Sequence, residues 1–130
     1  MSQTNAIILR IKADRADEFE RLFKEHQYPN WLKHHEKGGM LAASLTRVEY
    51  GVEEEDAKKG RYVITDGAAK LLQKAGAVGG GHIVLAKLTG QRAHDAHDSD
   101  PEFKAWDEMA EQFQPEGPSV WGGETILEIG

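Results

Sequence analysis

The sequence predicts an α+β domain built in the order strand, helix, strand, strand, helix, strand. Three observations carry this expectation. The β-branched run "AIILRIK" at residues 6–12 stands just before a stretch whose apolar residues recur every three or four positions. Two more strand-like segments follow, "MLAASLTRVEY" at 40–50 and "HIVLAKLTG" at 82–90. A second helical stripe then leads to a last apolar segment, "ETILEIG", at 124–130.

Taken in order, residues 6–12 read as a buried strand. Asp14 is placed to cap the helix after it, with Asp17 at the capping-box position. Ala16, Phe19, Leu22, Phe23 and His26 form one apolar stripe. Pro29 is expected to kink or end that helix, because it lacks an N–H and crowds the preceding turn. A second helical piece then carries Trp31, Leu32 and His35 on one side, with His34 facing solvent. Gly38 and Gly39 stop it, since glycine accepts the left-handed conformation past a helix end.

The second strand runs over 40–50, with small residues where something packs closely. "GVEEEDAKKG" is a charged loop, Arg61 to Thr65 a short strand, Ala68 to Ala75 a short helix and "GAVGGG" a connector without phosphate-loop order. Together they make an insert at about 52–80. After the strand at 82–90 comes "AHDAHDSDPEF" at 93–103. Asp100 or Ser99 caps a helix there, Pro101 takes its first position, and Glu102 complements the positive end of the helix dipole. Phe103, Trp106, Met109, Ala110 and Phe113 then form the stripe that packs on the sheet. His94 and His97 would need an ordered segment and a third ligand to hold a metal, so they read as part of a solvated loop and no metal site is predicted. The final strand is 124–130. There is no internal repeat, and residues 1–130 read as one domain.

With the insert set aside, this order is that of a ferredoxin-like βαββαβ sandwich, an antiparallel four-stranded sheet with both helices on one face. Ile8, Ala43, Leu45, Val84 and Ile126 are apolar residues assigned to the other face, which then needs cover. A second copy of the chain supplies it, so a homodimer is expected.

The totals narrow the function classes. At 130 residues, 39% hydrophobic and 29% charged, the chain has the composition of a globular domain. A formal charge of -6 gives no general attraction to nucleic acid or an anionic membrane. The absence of cysteine excludes disulfides, thiolate metal sites and a cysteine nucleophile. The apolar run Ala6 to Leu9 is too short for an export signal, so a cytoplasmic protein is expected. No phosphate loop, GxGxxG, GxSxG or HExxH motif occurs.

The order of elements, the first helix interrupted around "HQYPNW", and "SDPEFKAWDEM" before the final "VWGGETILEIG" resemble the dimeric α/β-barrel superfamily. That group includes the antibiotic-biosynthesis-monooxygenase-like, EthD-like and stress-responsive barrel domains. The resemblance covers most of the chain outside about 52–80 and implies a barrel made from two protomers' sheets, with a cavity beside or within it. Activities in the superfamily include cofactor-free oxygenation, lactone isomerisation and haem degradation.

Candidate site residues follow from residue chemistry and strand parity. Trp31 and His35 lie four apart on one helical face, and His26 falls on the stripe; imidazoles exchange protons near neutral pH and an indole can wall a flat ligand. If Ile7, Leu9 and Ile11 pack beneath the helices, Ile8 and Arg10 point the opposite way. Arg10 then either pairs with Glu128 or Glu124 or recognises a ligand. Parity brings either His82 inward with Val84 and Ala86, or Lys87 inward with Ile83 and Leu85. Tyr62 adds a hydroxyl from the insert, or is a surface aromatic. The expectation is an enzyme acting without a cofactor on a small aromatic or polyketide-like molecule: His35 or His82 accepts a proton, Arg10 holds an oxyanion, and His26, Trp31 and Tyr62 contact the ligand. The alternatives are a non-catalytic dimeric ligand-binding or stress-related module, and a haem protein with His26 or His35 as axial ligand.

Overall fold

The computed structural model describes residues 2–48 and 80–129. Strand β1 (Gln3–Ile11) passes through a 3₁₀ turn at Ala13–Arg15 into helix α1 (Ala16–Glu36). Strands β2 (Met40–Arg47) and β3 (Gly80–Leu88) follow, then helices α2 (Gln91–Asp98) and α3 (Pro101–Ala110). A 3₁₀ turn at Glu111–Phe113 leads to strand β4 (Ser119–Glu124). The strands form one sheet in the order β2-β3-β1-β4, with every neighbouring pair antiparallel. This is the ferredoxin-like arrangement expected from the sequence. The segment around 52–80, including Tyr62 and the short strand and helix expected there, lies outside the described residues apart from the start of β3.

Alternation along β1 gives the sheet two different faces. Ile7, Leu9 and Ile11 meet the helices, and the facing pairs Ile7–Val84, Leu9–His82 and Asn5–Ala86 put the alternate residues of β3 on that side too. His82 is therefore the residue turned toward the helices, and Lys87 is on the other side with Ile83 and Leu85. Ala43 and Leu45 pair with Ala86 and Val84, so Ala43, Leu45 and Val84 pack under the helices rather than on the open face. The open face instead carries Ala6, Ile8, Ile83, Leu85 and Trp121, with Leu85 and Trp121 48% and 71% exposed. Ile126 lies beyond the last strand, which ends at Glu124 rather than beginning there.

The core joins Ile11 on β1, Phe19, Phe23 and Trp31 on α1, Val84 and Leu88 on β3, Trp106 and Ala110 on α3, and Phe113. Phe113 is fully buried and meets the Phe19 ring edge-on at 5.7 Å, a favoured aromatic geometry.

Helix α1 does not stop at Pro29. It continues to Glu36, and the stripe runs on through Gln27, Asn30, Trp31 and His34, all buried. Proline in a helix interior costs about 3 kcal/mol. Here Pro29 faces solvent, where water can satisfy the carbonyl that loses its donor, and burial of Trp31 on the following turn offsets that cost. Gly38 ends the helix region with φ +84, as expected for the left-handed stop. Asp14 lies in the 3₁₀ turn rather than capping; Arg15 holds the N-cap position without a side-chain hydrogen bond. Asp100 does cap α3, accepting from the Glu102 N–H at 2.9 Å, with Pro101 in the first turn.

Candidate functional site

A cavity of about 310 Å³ lies between the helices and the sheet. Its apolar walls include Trp31 and Phe23 from α1, Phe103 and Trp106 from α3, and Ile7 and Leu9 from the strands. Trp106 and Trp31 both meet Phe23 edge-on, at 5.4 and 5.0 Å, so two indoles border a slot suited to a flat ring system. The polar lining is Asn5, Gln27, His94, His97, Asp98, Asp107 and Gln114, with no lysine or arginine among the described residues.

These polar groups form a directional network. Asn30 donates from Nδ2 to Gln27 Oε1 at 3.2 Å, which turns the Gln27 amide nitrogen toward His97 Nε2 at 3.1 Å. An amide nitrogen only donates, so His97 Nε2 is the acceptor. The proton of the neutral ring is then on Nδ1, which donates to Asp98 Oδ1 at 3.0 Å. The Phe103 ring, 4.3 Å away, holds the imidazole on its other side. Burial pushes the His97 proton affinity down, and Asp98 opposes that shift only in part. His97 is thus an uncharged imidazole whose lone pair belongs to the cavity wall.

Other lining groups complete the site. Asn5 donates to Gln3 Oε1 at 3.0 Å and presses its own oxygen against Gly122 of β4. A side chain at 122 would collide with that oxygen, so glycine is required for Asn5 to sit at the cavity floor. Among the described residues, Gln114 Oε1 is buried without a hydrogen-bond partner, an acceptor open to an incoming hydroxyl.

The expected site residues are dispersed. Trp31 lines the cavity. His26 is exposed, its ring stacked over Trp106 at 6.3 Å, because the buried stripe passes through Gln27 instead. His35 is also exposed and its Nδ1 is engaged by the Met40 carbonyl at 2.8 Å, which closes the turn after α1. His34, expected in solvent, is buried and bonded to Asp100 at 2.8 Å. Lys33, chiefly, and the Glu102 N–H hold the Asp100 carboxyl well below the usual carboxylate range.

His82 is 1% exposed but does not line the cavity. Its Nε2 meets Glu20 Oε2 at 2.7 Å, its ring lies 5.2 Å from Phe19, and its Nδ1 has no partner among the described residues. Burial lowers the proton affinity of His82, while Arg47, bonded to the same Glu20, holds that carboxyl low. Arg10 is on the open side of the sheet, as parity predicts, but neither Glu124 nor Glu128 is its partner. It donates to Ser119 Oγ at 2.9 Å and the Gly117 carbonyl at 3.3 Å, with Glu116 at 3.8 Å. Glu128 pairs with Lys87.

Sequence reasoning overlooked Gln27, Asn5 and the ordered α2. Gln27 stands four residues after Phe23 and four before Trp31, a spacing that is visible once the helix is allowed to run through Pro29. "QRAHDAHD" is helical, and it turns His97 inward.

No protein-family model matches the chain, and no curated protein matches it in sequence. Its fold, however, recurs among solved structures. An antibiotic-biosynthesis-monooxygenase-like protein of Caulobacter crescentus superposes with a TM-score of 0.67 at 17% identity, over 97% of this chain and 91% of that one. The cofactor-independent oxygenase SnoaB of Streptomyces nogalater gives 0.58 at 11% identity, over 98% and 96%. An EthD-family protein of Bacillus halodurans gives 0.57 at 14% identity, over 95% and 99%. By strand order, helix placement and these likenesses, the chain has the fold of the antibiotic-biosynthesis-monooxygenase-like and EthD-family proteins.

Proposed function

We propose that the chain is a cofactor-independent oxygenase- or isomerase-like enzyme for a small, uncharged aromatic or polyketide-like molecule bound between the two tryptophans. The observation that carries this reading is the neutral, Asp98-oriented His97 whose Nε2 lone pair borders an aromatic cavity. A ligand carbonyl or hydroxyl that takes over the Gln27 amide frees that lone pair. His97 Nε2 then removes a proton from a carbon made acidic by an adjacent carbonyl. The electron pair left on that carbon is delocalised into the carbonyl, whose developing charge is met by the Gln27 and Asn5 amides. Returning the proton at another carbon gives an isomerase. If dioxygen instead takes up the electron pair, a C–O bond forms, His97 returns its proton to the peroxide, and loss of water leaves a new carbonyl. Dioxygen is then the sole oxidant.

Oxygen uptake with an anthrone-type probe, whose methylene flanks a carbonyl-conjugated ring, tests this. Turnover should fall at least about 100-fold in His97→Asn, the usual contribution of a general base. Equal uptake by the variant and the intact protein overturns the role of His97. One observation favours a second reading, a non-catalytic binding module: Gln27 already satisfies the His97 lone pair. That reading predicts quenching of tryptophan fluorescence by the same probe with neither oxygen uptake nor rearrangement.

Pairing of two copies through the open sheet face belongs to the same proposal. Its support is the apolar strip Ala6, Ile8, Ile83, Leu85 and Trp121, with Ile126, Leu127 and Ile129 exposed on the segment beyond β4. Sedimentation should give a dimer for the intact chain and a monomer for Trp121→Glu; a monomeric intact chain at high concentration overturns it.

A further inference from the structure

Gln114 follows the 3₁₀ turn after α3, at the point where the chain changes to extended backbone. Its own N–H is bound to the Glu111 carbonyl at 3.1 Å, and its side-chain Nε2 donates to the Ala110 carbonyl at 3.4 Å. A carbonyl accepts only from the nitrogen end of an amide, so that bond fixes which way the side chain is turned. Gln114 Oε1 is thereby left as a buried acceptor without a partner among the described residues, on a side chain that lines the cavity. Pro118 and Val120, which also line the cavity, supply no side-chain donor, and Pro118 lacks an N–H. Asp107 of α3 adds acceptor oxygens rather than a donor. A buried acceptor left unpaired is destabilising, and a donor carried in by a ligand relieves it.

We propose that Gln114 is a specificity-determining residue: its Oε1 accepts a hydrogen bond from a ligand hydroxyl at the end of the molecule opposite the reacting carbon. His97 and Gln114 are separated by the length of α3. The His97 ring lies 4.3 Å from Phe103 in the first turn of that helix, and Gln114 bonds to Ala110, its last residue. From 103 to 110, a rise of about 1.5 Å per residue puts the two ends roughly 10 Å apart. A single ring cannot reach both. A bicyclic or tricyclic ring system can, with its carbonyl-activated carbon at His97 Nε2 and a hydroxyl on an outer ring at Gln114. The cavity, about 310 Å³, is at the small end for ligand pockets and suits a molecule of that size. Selection then works through the missing donor, because an analogue without the hydroxyl leaves Gln114 Oε1 both dry and unpaired. The inference rests on the proposed function, since that reading places the reacting end at His97.

Binding of anthrone, 2-hydroxyanthrone and 2-methoxyanthrone to the full chain tests this, read by tryptophan quenching under nitrogen so that oxygen consumption does not intervene. Anthrone carries its methylene on the central ring, so the added hydroxyl stands on an outer one. The hydroxylated probe should bind at least about 10-fold more tightly than either of the others. In Gln114→Met, similar in shape and with only a weakly accepting sulfur, that preference should disappear. Equal affinities of the intact chain for the three probes overturn the inference, and this arm stands whether or not the variant folds. A preference that survives in Gln114→Met also overturns it, because the hydroxyl is then held elsewhere. The catalytic reading fails separately. A preference lost in Gln114→Met, together with turnover indifferent to His97→Asn, sustains the hydroxyl subsite and sinks the base. Equal affinities with turnover dependent on His97 do the reverse, and no quenching by any of the probes overturns both.

Discussion

Gln27 and His97 are 70 positions apart in the chain and 3.1 Å apart at their side-chain nitrogens. Nothing in either residue's local sequence marks it for a site. Gln27 lies two positions before a proline, and His97 sits among aspartates that suggest a solvated loop. Trp31 was legible because an indole on a helical stripe must be buried somewhere. His35 and His82 were attractive for their chemistry alone, and the structure employs both as braces, one holding a turn carbonyl and the other a carboxylate. The residues at the cavity also define what it admits. Asp98 and Asp107 border it and, among the described residues, neither a lysine nor an arginine does. A carboxylate would lose hydration without a cation in return. A carboxylated aromatic should therefore bind at least about 10-fold more weakly than its methyl ester, read by tryptophan quenching. Equal affinities would show that the acid binds elsewhere.

At the scale of elements, strand parity was the most dependable guide. It separates Ile7, Leu9 and Ile11 from Ile8 and Arg10, since alternation leaves a strand no other choice, but it does not say which set meets the helices, and Ala43, Leu45 and Val84 fall on the side opposite to the one expected. Helix ends were harder to place. Pro29 ends a helix only where neighbouring burial does not hold the following turn, and Trp31, Asn30 and His34 hold it here. The last strand is displaced toward Ser119, where the glycine at 122 lets β4 lie close against Asn5 of β1. His82 ties β3 to α1 through Glu20, and Arg47 ties β2 to the same carboxylate. This junction has a pH signature. Burial depresses the folded-state affinity of His82, so below about pH 6.5 the unfolded chain takes up the proton more readily. The contribution to stability is complete above that pH and is lost as pH falls through it. His82→Phe, packing against Phe19, should remove up to about 1.4 kcal/mol per pH unit from the slope of unfolding free energy between roughly pH 6.5 and 5. Denaturant melts across that range check it, and an unchanged slope refutes the assignment.

For the molecule as a whole, the sequence order alone specified one sheet with helices on a single side, because only that layering covers two amphipathic helices and four strands at this length. The cavity's location was not legible. The dimeric-barrel resemblance drew attention to the open side of the sheet, whereas the enclosed, aromatic, polar-lined space is under the helices, formed by side chains from β1, α1, α2 and α3 together. Such a convergence depends on contacts between distant segments, which periodicity within one segment does not record.

The hollow beneath α1 occupies ground that most domains of this size fill solid. Whatever the guest is, it displaces hydrocarbon that would otherwise hold the layers together, so affinity and heat resistance draw on the same space. Plugging it from the floor with Ala86→Leu, at a residue already 8% exposed, should raise the melting temperature by a few degrees, about 1 kcal/mol, while shutting out the aromatic probe. Calorimetry and fluorescence on the same sample would reveal whether robustness has been forgone to keep a vacancy.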